Sequence, residues 1–344
     1  MKSFNLHPFL YENLEGKIKM QKKVVVFNNL VEERLKALNE QFEVEVISPV
    51  PPLTDPHLQA ALKEADAIVG TGFQVTEDLL DLAPKLKIVS TVSVGYNHLN
   101  VDLLSERGIL ASHTPGVLDD TVADVIFGLA LASARRMTEL DRFVKNKEWT
   151  RFMREEHYGV DVHHKTIGII GMGRIGEKIA QRAHFGFDMD VLYYNRSRKE
   201  AAEQTYNATY TPLEDLLKQS DFVVLMTPLT PETEGMIHAD HFAMMKKSAI
   251  FINGSRGKTI VEADLIQALK NKEILAAGLD VYEEEPVQAD NPLLEMDNVV
   301  TLPHIGSATA ETEDKMEALA VDNVIAALTG KKPPTLVDES IWQA

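Results

Sequence analysis

The stretch from Thr166 to Phe185 constrains this chain more than any other. An apolar run, Thr166–Ile170, leads into Gly171-Met172-Gly173-Arg174-Ile175-Gly176, and helix-like spacing follows. Strand, glycine turn and helix in that order form the G-x-G-x-x-G arrangement that holds a dinucleotide. Each glycine has a task. Gly171 allows a tight turn, Gly173 lets the backbone approach a pyrophosphate, and Gly176 lets the helix pack close to the strand. The helix N-terminus, with Arg174 and Ile175 in its first turn, then faces the anion.

The rest of the chain repeats that alternation. Short apolar runs at Val24–Phe27, Val44–Ile47, Ala67–Val69, Ile88–Val92 and Ile109–Ala111 are separated by stretches with three- and four-residue apolar spacing. A second series follows at Thr166–Ile170, Val191–Tyr194, Phe222–Met226, Ala249–Asn253, Leu275–Leu279 and Val299–Leu302. Near-continuous apolar strands between helices indicate parallel sheets covered on both faces. A chain of 344 residues has room for two such domains. The helical stretch Leu118–Lys145 is long and apolar enough to join them. The last helix, about Ala310–Thr329, is placed to pack back on the first half and make that domain discontinuous.

Composition narrows the partners. The formal net charge is −17, and there is no cysteine. Such a charge repels phosphate backbones, so nucleic acid is not an expected partner. Without cysteine there are no disulfides, thiolate nucleophiles or Cys-ligated zinc. No run approaches about 18 consecutive apolar residues, so no membrane partner is expected. Residues 1–20 include Glu12 and Glu15 and lack a signal-peptide core. They read as an N-terminal extension before a first strand at Lys22, with Met20 an alternative start and a cytoplasmic location expected.

The strand Val191–Tyr194 ends in the turn Asn195-Arg196-Ser197-Arg198. Sites that select NAD place Asp or Glu here, on the ribose 2′-hydroxyl. A carboxylate would repel a 2′-phosphate, whereas guanidiniums and a hydroxyl suit it. The turn therefore predicts NADPH in preference to NADH. Three further polar residues follow strands of the same half: Arg256, Glu285 and His304. An arginine can hold a carboxylate through two hydrogen bonds. A histidine can serve as acid or base for a carbonyl–alcohol pair. A carboxylate beside it favours its protonated form and fixes its tautomer.

Here the residues reach a family. The glycine loop, Gly254-Ser255-Arg256-Gly257, Gly278-Leu279-Asp280-Val281-Tyr282-Glu283-Glu284-Glu285-Pro286 and Pro303-His304-Ile305-Gly306-Ser307-Ala308 resemble the signatures of the D-isomer-specific 2-hydroxyacid dehydrogenases. Val94-Gly95-Tyr96-Asn97, His113-Thr114-Pro115-Gly116 and Thr121-Val122-Ala123-Asp124 resemble that family's substrate loop and interdomain helix. The likeness runs from residue 22 to about 337. Asp161–Lys165 and the Asn195–Arg196 turn look most like its glyoxylate/hydroxypyruvate reductase and 2-ketogluconate reductase branch.

The resemblance implies an α/β fold of two doubly wound parallel-sheet domains with a cleft between them. A flavodoxin-like substrate domain would take residues 21–117 plus 307–337, and a Rossmann cofactor domain residues 118–306. NADPH would deliver hydride to the keto carbon of a small 2-keto acid, giving a D-2-hydroxy acid, while His304 protonates the oxygen. Glyoxylate, hydroxypyruvate and 2-ketogluconate are the implied substrates. Arg256 would orient the substrate and Glu285 would pair with His304. Asp280 would bond the nicotinamide amide, with Thr121, Thr227, Ser255 and Gly306 near the cofactor. Backbone amides near Val94 and Gly95, with the Gly72 loop, would hold the substrate carboxylate. Relatives form homodimers through the cofactor domain, and a tryptophan matching Trp149 can reach the partner's active site.

Two alternatives stay open. Transcriptional corepressors share this fold, so a dinucleotide-sensing interaction protein is one. Another enzyme of the family, such as a phosphoglycerate dehydrogenase, is the other, although only 40 residues follow His304 where an extra regulatory domain often stands. His163-His164 lacks a third ligand at useful spacing, and no H-E-x-x-H stands in the chain, so no metal site is expected. Trp149 and Phe152 read as packing residues.

Overall fold

The structure, a computed structural model, describes residues 10–12, 18–20 and 22–342. The remainder of the N-terminal extension lies outside the described residues. The described part of the extension is two short strands that pair antiparallel: β1 (Leu10–Glu12) and β2 (Ile18–Met20). No strand signal precedes Lys22 in the sequence, because three-residue strands are too short to carry a period.

The β-branched runs become two parallel sheets. The first holds β3 (Lys23–Phe27), β4 (Glu43–Ile47), β5 (Ala65–Gly70), β6 (Ile88–Thr91) and β7 (Leu110–Ser112), in the order β4-β3-β5-β6-β7. That is the flavodoxin order. The second holds β8 (Thr166–Ile170), β9 (Asp190–Tyr194), β10 (Thr209–Tyr210), β11 (Phe222–Leu225), β12 (Ile250–Asn253), β13 (Ala276–Leu279) and β14 (Val299–Thr301). Its order, β10-β9-β8-β11-β12-β13-β14, is the dinucleotide-binding order with one added strand. β5 and β11 are buried at every position, as strands covered on both faces must be.

The chain divides into two compact units. One runs to Val117 and resumes at Thr309; the other is the unbroken segment Leu118–Ala308. The chain's return to the first unit is made by the helix Ala310–Leu328, capped by the Thr309 hydroxyl, which lies against β5 and β6. Ser90 on β6 donates to the Ala320 carbonyl at 3.0 Å, and Leu336 bridges antiparallel to Ser112 on β7. Local signals start other helices too. Asp55 accepts from the His57 and Leu58 amides, with Pro56 pre-set in the first turn.

The single helix expected over Leu118–Lys145 is two, Asp119–Ala134 and Met137–Lys145. Arg136 breaks it in the left-handed conformation, at φ 53°. The Ala134 carbonyl accepts from the Val160 amide at 2.8 Å, and a Cβ on Gly159 would sit 2.2 Å from that carbonyl oxygen. A crossing strand of chain thus takes the place of the next helical turn. Trp149 and Phe152, expected to pack, are 58% and 94% exposed. Among the described residues no helix is long and apolar enough to cross a membrane.

Candidate active site

In the second unit the strand order reverses between β8 and β11, and the glycine loop leaves β8 at that point. Gly171 has φ +107°, and a Cβ there would lie 2.6 Å from the Met226 carbonyl oxygen, just past β11. Any side chain would push the two strand ends apart. A Cβ on Gly176 would meet the Gly171 carbonyl at 2.4 Å, so the helix start is pressed onto the turn. Gly173 behaves differently: nothing stands within 4 Å of its Cβ position. It caps the helix Arg174–Phe187 with no side-chain acceptor on the first-turn amides, those of Arg174, Ile175 and Gly176 among them. An open approach to uncapped amides fits a pyrophosphate.

Charges around that loop are arranged by the helix Asp119–Ala134. Arg174 Nε stands 3.6 Å from Asp119 Oδ2. Burial pushes the Asp119 carboxyl above its ordinary pKa, with Arg174 opposing the shift. Asp119 Oδ1 is buried without a hydrogen-bond partner among the described residues. Thr121 lies in the same helix turn, half-buried. Thr227, past β11, donates weakly to the Met236 sulfur at 3.6 Å.

The turn after β9 differs from its sequence reading in one respect. Asn195 closes the turn on the Ser197 carbonyl at 3.1 Å. Arg196 and Ser197 are exposed, and Arg196 forms no ion pair among the described residues. Arg198, grouped with them in the sequence, is held by Glu203 through Nε at 3.0 Å and Nη2 at 2.6 Å. Nothing in the turn itself announces that partner. Glu203 comes from the helix Glu200–Tyr206, which buries only Ala202 and so leaves almost no apolar period to read.

Three loops at the carboxyl ends of β12, β13 and β14 carry Arg256, Glu285 and His304. Asn253 Oδ1 accepts from the Ser255 amide and hydroxyl, and the Arg256 carbonyl accepts from Asn253 Nδ2 and Thr259 Oγ1. This brace fixes the backbone under Arg256. A Cβ on Gly257 would sit 1.8 Å from the Tyr282 carbonyl, so the Arg256 loop lies directly on the Glu285 loop. The guanidinium donates to the Ser255 carbonyl at 2.6 Å. Burial lowers its pKa, and the charge of Glu285 acts against that.

Glu285 Oε2 meets His304 Nδ1 at 2.7 Å, and Oε1 accepts from the Tyr282 amide at 3.0 Å. Burial pushes this carboxyl up. The His304 hydrogen bond, the Tyr282 amide and the charges of His304 and Arg256 outweigh it and hold the pKa below its ordinary value. With Nδ1–H donated to Glu285, Nε2 is the ring nitrogen left for a reacting group. His304 itself has φ 54°. It is kept there by Asp280, whose two oxygens accept from the Ile305 and Gly306 amides at 2.8 and 2.9 Å. That clamp was not readable in the sequence, where Asp280 had only a cofactor-side reading. Burial raises the Asp280 pKa, against those two amides and the His304 charge.

Gly72, Val94 and Gly95 belong to the first unit, in the loops after β5 and β6. The Val94 carbonyl meets His113 Nδ1 at 2.9 Å, and the Gly95 carbonyl accepts from Ser93 Oγ at 2.7 Å. Both carbonyls are thereby tied down. Among the described residues the Val94 and Gly95 amides have no acceptor, so they are available to an anion. Among the described residues no group of three or more His, Cys, Asp and Glu could hold a metal ion.

Residues 127–306 match the family model described as D-isomer specific 2-hydroxyacid dehydrogenase, NAD binding domain. The chain is 48% identical over 322 residues to glyoxylate/hydroxypyruvate reductase B of Escherichia coli K12, covering 94% of this chain and 99% of that one. It is similar, at 36% identity and TM-score 0.85, to a solved protein from Thermus thermophilus, over 92% of this chain and 100% of the other. It is also similar to the NADPH-dependent glyoxylate/hydroxypyruvate reductase of Sinorhizobium meliloti solved with NADP and malonate. That match has 30% identity and TM-score 0.84 over 94% and 99% of the two chains.

Proposed function

Because the chain belongs to the D-isomer-specific 2-hydroxyacid dehydrogenase family, and is thus an oxidoreductase with a nicotinamide-dinucleotide domain, we propose that it reduces small 2-keto acids with NADPH. The products are D-2-hydroxy acids. Glyoxylate and hydroxypyruvate are the substrates named by the relatives, with 2-ketogluconate a longer candidate. The observation that carries the reading is the 2.7 Å pair of Glu285 and His304 on the sheet end that also bears the glycine loop.

The chain's own residues divide the work. Arg256 holds the carboxylate of the keto acid, a charge the chain's net −17 would otherwise repel. His304 donates a proton from Nε2 to the carbonyl oxygen, and Glu285 keeps it in the right tautomer. The uncapped amides after Gly173 hold the pyrophosphate, and the bound dinucleotide supplies the hydride. Arg196 and Ser197 attract the 2′-phosphate. Gly72, Val94 and Gly95 are the backbone donors available to a carboxylate on the first unit. The reading includes a homodimer, supported by apolar side chains exposed between Met137 and Tyr158.

The test follows cofactor oxidation by its near-ultraviolet absorbance, offering glyoxylate, hydroxypyruvate and 2-ketogluconate in turn with NADPH and then NADH. Wild-type protein oxidises NADPH with at least one of them. His304→Gln binds NADPH but loses about 10²–10⁴-fold in kcat. Wild-type turnover in that variant removes His304 from the mechanism.

A further inference from the structure

The turn after β9 lacks the carboxylate that NAD-selective sites place there, yet the fold brings one back. Glu203, in the first turn of the helix Glu200–Tyr206, lies against the guanidinium of Arg198. Its Oε1 accepts from Arg198 Nε at 3.0 Å and from the Tyr193 hydroxyl at 2.7 Å; its Oε2 accepts from Arg198 Nη2 at 2.6 Å. Tyr193 is fully buried on β9, and its oxygen accepts from the Lys199 amide at 2.7 Å. Glu203 is therefore anchored to the sheet from one side while it grips the turn from the other. The Arg198 and Tyr193 hydrogen bonds hold its carboxyl below the usual pKa, so it carries its charge at neutral pH.

Resting on the NADPH reading above, we propose that Glu203 is a specificity-determining residue for the dinucleotide: it holds Arg198 back from a 2′-phosphate and moderates the preference for NADPH. A guanidinium offers its Nε–Nη2 edge to one planar partner at a time. Here that edge faces Glu203, and only the Nη1 side of Arg198 is left for phosphate. Glu200 adds a second negative charge close to Arg198. Arg196 is exposed and held by no ion pair among the described residues, with only the charge of Glu232 acting on it from a distance, and it carries most of the attraction for the phosphate. Selectivity in this turn is then a balance between one open guanidinium and one restrained one, set by a carboxylate outside the turn.

The test measures dissociation constants for NADPH and NADH by cofactor fluorescence, with no keto acid present, on the full chain. Wild type, Glu203→Gln, Arg198→Met and the double variant are compared. Glu203→Gln frees a charge-assisted fork, so the NADH-to-NADPH Kd ratio rises about five- to tenfold. In the Arg198→Met background the same substitution moves the ratio less than about twofold, because Glu203 acts through that arginine. Glu203→Asp, too short to span the fork, shifts the ratio the same way by a smaller factor. A ratio unmoved or lowered in both Glu203 variants overturns the proposal, as does an equal rise in the Arg198→Met background. The NADPH reading is judged separately, by whether wild-type protein binds NADPH more tightly than NADH; the Glu203 proposal is judged only by the change on substitution.

Discussion

Glu285 is pulled in two directions, and the outcome sets the chemistry beside it. Burial alone would raise its pKa, but hydrogen bonds from His304 and the Tyr282 amide and the charges of His304 and Arg256 lower it. A carboxylate whose folded pKa is depressed stays ionised well into the acid range, so it goes on accepting from His304 Nδ1 there. Glu285→Gln removes that charge and keeps the shape. The ring then loses the charged acceptor that fixes its tautomer, and kcat for keto-acid reduction falls by about tenfold or more. Steady-state kcat with glyoxylate and NADPH checks this; a value within about twofold of wild type counts against the pairing. At this scale the sequence showed which groups were chemically able, because strand ends collect them. It did not show which were already engaged. Arg196 and Arg198 look alike on paper and differ in the fold because one meets Glu203 and the other does not.

Strands and helices were legible where their cause is local. The glycine loop was, since a strand, a turn and a helix start within one short stretch. The break at Arg136 was not: its cause is the Val160 amide on Ala134, far along the chain. The two-residue β10 was missed because a pair has no period. Asp221 is a further device at this scale. It ties the beginnings of neighbouring strands, its side chain accepting from the Thr166 amide at 3.0 Å and from Lys246 Nζ at 2.9 Å. Burial pushes its pKa up, but Lys246 and the Thr166 amide bring it below the ordinary value. Its contribution is therefore complete above the unfolded value of about 3.9 and is lost as the pH falls through the lower folded one. Asp221→Asn lowers Tm at neutral pH by about 2–4 °C, and the gap to wild type closes in acid. Melting curves across pH check it; a gap that stays constant means the carboxylate's charge plays no part.

For the whole molecule, two α/β units on parallel sheets follow from strand runs long enough to count, and their strand orders became visible only with pairing. Exposure was the feature least open to reading. Trp149 and Phe152 read as packing residues in the sequence, yet they are 58% and 94% exposed, and Tyr158 is 64% exposed. Exposed aromatic side chains of this kind are what the homodimer proposed above would cover. Light scattering is expected to give twice the monomer mass, and Phe152→Asp to return the mass of one chain with its far-ultraviolet circular dichroism unchanged. A monomeric wild type ends the homodimer reading. The discontinuous first unit also has a consequence in time. During translation, residues up to Val117 leave the ribosome first but lack the helix Ala310–Leu328 that lies on their sheet. The segment Leu118–Ala308 emerges unbroken with all seven strands of its sheet. Nascent domains usually mature in the order they are made; here the later one can finish while the earlier one is still waiting for its last helix.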